Sequence, residues 1–149
     1  MRTGSSAMAR IRIDLPEHFL SSTELPIHSS HINEAGHLDN LQMLTLVSEA
    51  RQRFFKALGY TQTDVEGVGT VVADAAIQYL SEAFEGEILV FDMTASDFNK
   101  YGCDLVYRVR EKSSEREVAR GKFGIVFFDY GQRKITAAPP AFIGKLAAG

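Results

Sequence analysis

The segment Leu41–Leu58 constrains this chain more than any other stretch. Apolar residues recur there at helical spacing, with Leu41, Leu44, Val47, Phe54 and Leu58 on one stripe and Met43, Leu46, Ala50 and Ala57 beside it. Gln42, Ser48, Gln52 and Lys56, with the charged Glu49, Arg51 and Arg53, interrupt the arc. An arc that wide predicts a helix largely enclosed by a sheet rather than one lying on a surface. Asp39 and Asn40 offer N-cap side chains ahead of it, and Gly59 offers the stop behind it.

Past Gly59 the character turns to β. Candidate strands cover 70–80, 87–97, 103–111, 117–130 and a short 134–138, rich in Val, Ile, Phe and Tyr. Turn signals separate them at Glu85-Gly86, Lys100-Tyr101-Gly102, Lys112-Ser113-Ser114 and Tyr130-Gly131-Gln132. Loops of that length imply antiparallel neighbours. Ahead of the helix, the extended segment 19–31 is interrupted by Pro26, the mark of an edge or a bend. A strand, a helix and then a run of hairpin-connected strands exclude a βαβ array and place one helix against one antiparallel sheet, an α+β domain. The segment 117–130 is long for a small domain and must curve, which suits a sheet wrapped around a helix.

With 149 residues the chain suits one domain, a size that buries roughly two thirds of the surface its unfolded form exposes. We expect a single domain over 11–149, with 1–10 as an N-terminal extension in which Met1–Ala7 is small and polar and Met8 is the natural start. The net charge of −3 gives no broad cationic field, so nucleic acid is not expected as a partner. No apolar run approaches the roughly 18–20 residues needed to span a bilayer, and Met1–Arg10 lacks the apolar stretch of a signal peptide. The single cysteine, Cys103, excludes an intrachain disulfide and fits a reduced, cytoplasmic protein; on a strand it reads as a small buried hydrophobe.

His31–Asn40 is a polar loop with a glycine near its centre, feeding the helix. It carries Asn33-x-x-Gly36-His37-Leu38-x-Asn40, and the helix follows with Glu49-Ala50-Arg51-x-x-Phe54 and Leu58-Gly59. Later come Ile77-x-Tyr79-Leu80-x-x-Ala83, Gly86-x-x-Leu89, Ala119-Arg120-Gly121 and a closing Pro139 or Pro140. In order and spacing these pieces resemble the hotdog-fold acyl-CoA thioesterases, in particular the branch similar to 4-hydroxybenzoyl-CoA thioesterase. The resemblance implies an antiparallel sheet of five or six strands wrapped around one long central helix. It also implies a homodimer or homotetramer whose sheets join edge to edge. The substrate, a thioester of coenzyme A or a carrier protein, would lie between subunits and be hydrolysed without metal or other cofactor. Many relatives carry an aspartate three residues before the loop glycine, as nucleophile or base; this chain has Asn33 there.

Thioester hydrolysis needs a polarised carbonyl, a placed water and usually a base. Unpaired N–H groups at Gly36–Asn40, including those of Leu38 and Asn40, carry the positive end of the helix dipole and could face the thioester oxygen. An amide takes no proton at neutral pH, so Asn33 can only orient water or substrate. The base would be Glu34, His37 or Glu49, with His31 another imidazole nearby. Each has a plainer role: a solvated loop carboxylate for Glu34, hydrogen bonds that lock the loop for the histidines, and an i, i+4 pair with Arg53 for Glu49. Asp74, alone amid 71–77, suits either a wet strand face or a subunit junction. Lys100 and Arg120, with Lys122, Arg133 and Lys134, are candidates for coenzyme A phosphates. The missing aspartate keeps open a hotdog protein that binds an acyl thioester without cleaving it. An enoyl-thioester hydratase is a third reading, though its usual His with Asp or Glu arrangement is absent.

Overall fold

The computed structural model describes residues 10–148; the expectation for Met1–Ala7 falls outside them. Among the described residues, six strands and two helices follow in the order β1 (Ser21–Pro26), α1 (Asn40–Ala57), β2 (Gly69–Tyr79), β3 (Ile88–Asn99), β4 (Gly102–Glu111), β5 (Glu117–Asp129), β6 (Lys134–Ile135) and α2 (Pro140–Ala148), with a 3-10 turn at Ser29–His31. All pairings are antiparallel. The domain is α+β, the hotdog arrangement of one sheet and one long helix. No helix among these residues is long and apolar enough to cross a membrane.

The strand order β1-β3-β4-β5-β2 corrects the expectation of consecutive hairpins. β2 and β3 are adjacent in sequence, but β2 pairs with β5 and β3 with β1 and β4. The connection 80–87 therefore crosses the sheet. Its length resembles a hairpin loop, and length alone cannot separate a turn from a crossing. β1 ends on Pro26 and pairs only with β3, as an edge strand should. The second edge is β2.

Alternation along the strands sends Leu89, Phe91, Met93, Leu105, Tyr107, Val109, Phe123, Ile125 and Phe127 into one core with the helix. From α1 the core takes Met43, Leu46, Val47, Ala50, Phe54 and Phe55. The helix is not enclosed, contrary to the sequence reading. Its outer side carries Thr45, Glu49, Gln52, Arg53 and Lys56 in solvent, and Leu41 is 65% exposed. One sheet can cover only one side of a helix, and the apolar arc is wider than that contact.

The second correction lies at the C-terminus, where β6 is only two residues long and α2 follows. Pro140 opens α2, a position where proline's missing N–H costs nothing. Phe142 packs against Phe55, Tyr60 and Phe127, with ring centroids 6.4, 6.2 and 5.0 Å away. Lys145 Nζ donates to the Leu58 carbonyl at 2.7 Å, closing the C-terminal end of α1. Nine residues with two buried anchors, Phe142 and Leu146, are too short a pattern to stand out in a sequence.

Candidate active site

The loop ahead of α1 is a small hairpin. Ile32 and Leu38 form a bridge, Asn33 N donates to His37 O (3.0 Å), and Gly36 N donates to Asn33 O (3.0 Å). Gly36 turns the chain at φ +88°, a conformation that a side chain would strain. Asn33 Oδ1 accepts from Ala35 N (3.0 Å) and His37 N (3.4 Å). That is an Asx turn, and it fixes which end of the amide is oxygen. The Nδ2 end is left as a donor.

The next two amides are also engaged, Leu38 N with Ala83 O at 2.7 Å and Asp39 N with His31 O at 3.0 Å. Asp39 is the N-cap, its carboxylate accepting from Leu41 N at 2.9 Å. The expected row of free N–H groups from Gly36 to Asn40 thus shrinks to one. Gly36, His37, Leu38 and Asp39 have acceptors, whereas Asn40 N has none among the described residues. Asn40 lies at the positive end of the α1 dipole. Its carbonyl accepts from Tyr79 Oη at 3.1 Å, tying the helix front to the end of β2. Burial, and then the charge of Asp39, push the Tyr79 phenol up, so it stays a donor at neutral pH.

A cavity of about 410 Å³ opens at this point. Asn33, His37 and Asn40 line one side, and Tyr79, Leu80, Ser81 and Glu82 from the crossing connection line the other. Leu38, Met43, Ala83 and Val118 supply apolar wall. The connection is held firmly. Ser81 Oγ donates to Glu117 O (2.8 Å), and Arg116 Nη2 donates to Glu82 O (2.9 Å) and to Glu87 Oε1 (3.1 Å). His37 Nε2 lies 3.3 Å from Glu82 Oε2, and its Nδ1 lies 3.3 Å from Leu38 O.

The structure brings Asn33, Gly36, His37, Leu38 and Asn40 together at the helix front. It does not bring the other sequence candidates to them within one chain. Glu34 is exposed and makes no side-chain hydrogen bond among the described residues. His31 Nδ1 accepts from His28 N at 3.0 Å and so closes its own 3-10 turn. Glu49 lies on the outer side of α1, 2.8 Å from Arg53, lining a different depression. Arg120 is on the outer face of the sheet, forked onto Glu117 (2.9 and 2.7 Å) and bonded to Ile13 O (3.1 Å). Lys100 sits over the Tyr101 ring in the β3–β4 turn. That turn lies at the Val126 end of β5 and the cavity at the Val118 end, about 26 Å apart at strand spacing. Asp74 pairs with Lys122 at 3.0 Å on a wet strand face.

Three polar lining residues escaped the sequence reading, Tyr79, Ser81 and Glu82. The motif Ile77-x-Tyr79-Leu80-x-x-Ala83 contained all three, but two stood in its unassigned positions.

A family model described as the thioesterase-like superfamily matches residues 27–146. The chain belongs to that superfamily. Its matched region starts just after β1 and takes in the loop, α1, the crossing connection and the rest of the sheet. Among solved structures, this thioesterase-like chain is similar to Slr0204 from Synechocystis, a 1,4-dihydroxy-2-naphthoyl-CoA thioesterase, at 17% identity and a TM-score of 0.76, covering 85% of this chain and 94% of that one. It is also similar to PA2801 from Pseudomonas aeruginosa, at 19% identity and a TM-score of 0.79, covering 89% and 100%. SAV2348 from Staphylococcus aureus, solved in complex with CoA, matches at 16% identity and a TM-score of 0.77 over 85% and 81%. At such identities the likeness shows the shared fold. No curated protein matches the sequence.

Proposed function

We propose that this chain hydrolyses an acyl thioester of coenzyme A or of a carrier protein to free acid and thiol, in the cavity at the front of α1. The carrying observation is the Asn40 N–H, left without an acceptor at the mouth of a largely apolar cavity. A donor fixed by the backbone at a helix front suits a carbonyl oxygen that gains charge as water adds. Asn33 Nδ2 is a second donor on the same wall, so Asn33 orients the thioester. The apolar wall accommodates the acyl group. Coenzyme A as the carrier draws support from the CoA-bound SAV2348 structure.

A second copy of the chain completes the site. β1 is six residues long and ends in proline, whereas β2 presents eleven residues with no proline and a single charge, Asp74. An edge so long and so little protected invites pairing. Antiparallel pairing of two β2 edges would set the Lys100 turn of one copy beside the cavity of the other, in reach of the carrier's phosphates. It would also cover Val72 and Tyr79, which are exposed in the single chain. Stacking of two such dimers would give the tetramer. The reaction belongs in the cytoplasm, in keeping with a lone buried thiol.

The test is a panel of aromatic and aliphatic acyl-CoAs assayed for released thiol, with Asn33→Ala beside wild type. Turnover by wild type, reduced in the variant, is the expected result; equal turnover in both would remove the cavity from the reaction. The substitution of asparagine at the family's aspartate position favours a second reading, binding without hydrolysis. Saturable acyl-CoA binding with no thiol release from any substrate would select it.

A further inference from the structure

A hydrolase with asparagine at the loop position still needs a group to take the proton of the attacking water. Eleven residues line the cavity, and Glu82 is the only carboxylate among them. We infer that Glu82 is the general base of this site, with His37 as its positioning residue. This rests on the hydrolytic reading above.

The geometry of the pair assigns the roles. His37 presents one ring nitrogen to the Leu38 carbonyl and the other to Glu82 Oε2, each at 3.3 Å. In either neutral tautomer its remaining lone pair faces an oxygen, so the ring has none to offer a water. Glu82 has one oxygen beside His37 and a second, Oε1, that makes no hydrogen bond among the described residues. Its side chain is 63% exposed, which leaves it open to water. Its segment, by contrast, is pinned by three bonds that do not involve the carboxylate, one at Glu82 and one at each neighbour: Arg116 to Glu82 O, Leu38 N to Ala83 O, and Ser81 Oγ to Glu117 O. A fixed main chain under a side chain that reaches water is a suitable mounting for a base.

The proton balance is complete without a further reactant. Water oxygen bonds to the thioester carbon as Glu82 Oε1 takes its proton, and the carbonyl π pair moves to the oxygen facing Asn40 N–H. The intermediate then collapses, the C–S bond breaks, and the leaving sulfur takes the proton back from Glu82. Acid and thiol are released and the carboxylate is regenerated. The carboxylate thus comes from the crossing connection between β2 and β3, not from the loop ahead of the helix.

The experiment uses the full chain and the best acyl-CoA of the panel. Glu82→Gln keeps the shape and loses the proton acceptor, so kcat should fall by about 10²–10⁴-fold, with KM and the affinity for a non-hydrolysable thioether analogue retained. Glu82→Ala should recover activity with added formate, a recovery that a purely structural role would not give. His37→Gln should lower kcat in wild type and do little more in the Glu82→Gln background, because the two act as one unit. Wild-type kcat in Glu82→Gln, or a Glu82→Ala variant that formate cannot restore, overturns the assignment of the base while leaving the thioesterase reading in place. A wild type that binds acyl-CoA and never releases thiol overturns both.

Discussion

The outer face of the sheet and the cavity at the front of α1 both gather polar groups, and they treat them in opposite ways. On the outer face the charges at the middle of the sheet are paired. Asp92, 4% exposed, accepts from Arg108 Nη2 (2.9 Å), Arg110 Nε (2.9 Å) and the Ser22 hydroxyl. Lys122 bridges Asp74 and Asp104 at 3.0 and 2.9 Å. At the cavity the accounting is left open, with Asn40 N–H, Asn33 Nδ2 and Glu82 Oε1 all lacking partners among the described residues. A saturated network holds β1, β3 and β4 in register, and an unsaturated one at a cavity can engage a ligand. The contrast predicts that variants of the outer face change stability and variants of the cavity change turnover.

The largest break should come from Asp92→Ala. It removes the acceptor shared by Arg108 and Arg110 and should cost about 3 kcal/mol, at the low end for a broken buried pair because Arg108 reaches water and Arg110 keeps Glu115 at 2.7 Å. Denaturant melts measure this, and acyl-CoA turnover per folded molecule should stay within about twofold. The same site sets an acid dependence. Burial alone would push the Asp92 carboxyl up, but the hydrogen bonds from Arg110, Ser22 and Arg108 outweigh it and hold it below the ordinary 3.8. Its folded value is the lower one, so its stabilisation is complete above the ordinary aspartate range and fades as pH falls through the folded value. Melts of wild type and Asp92→Asn should stay apart at neutral pH and converge in acid.

Next in size is the loop position. Asn33→Asp keeps the oxygen that accepts from Ala35 and His37 and adds a carboxylate to the cavity wall. In the Glu82→Gln background it should raise turnover about tenfold or more, general-base catalysis being worth 10²–10⁴-fold when well placed. No gain in that double variant would mean that position 33 does not face the reacting water. Stability should change by less than about 1 kcal/mol, since the turn's hydrogen bonds are preserved.

A smaller effect tests the core side. Cys103 is buried, and desolvation, helped by the charge of Asp104, pushes its thiol up to about 12. Native protein should give almost no signal with a thiol reagent until denatured, and then one thiol per chain. A fast native signal would mean that β4 opens more readily than its packing implies. The smallest effect belongs to Glu49 and Arg53 on the outer side of α1, both about half exposed. Removing either charge should cost about 0.3–0.5 kcal/mol, less at high salt.

Much of this was legible residue by residue. The 3.6-residue period marked α1 to within one residue at each end, and Asp39 and Gly59 closed it as their chemistry requires. Alternation and turn residues located β2 to β5 closely. The loop Asn33–Asn40 was legible as the turn that caps α1 and, in the structure, lines the cavity, because asparagine, glycine and helix-capping residues act over a few residues. Glu82 was not, since nothing near it in sequence marks an exposed glutamate as special. Nor were Glu49 and Arg120 separable from true lining residues, because facing direction on a helix or strand gives chemistry only once the neighbouring element is known.

The sequence by itself determined α1 with its caps, the strands β2 to β5 and the asparagine at the loop position, all of which follow from backbone preferences and side chains a few positions apart. Only the tertiary structure decided that β2 leaves β3 and crosses to the far edge beside β5, because strand partners are chosen by long-range packing rather than by loop length. That crossing carries Glu82 to His37 and brings Ala83 O onto Leu38 N, removing one free amide and supplying one carboxylate. Which polar groups remain unsatisfied depends on every partner the fold brings near, and that can be counted only once the chain has folded.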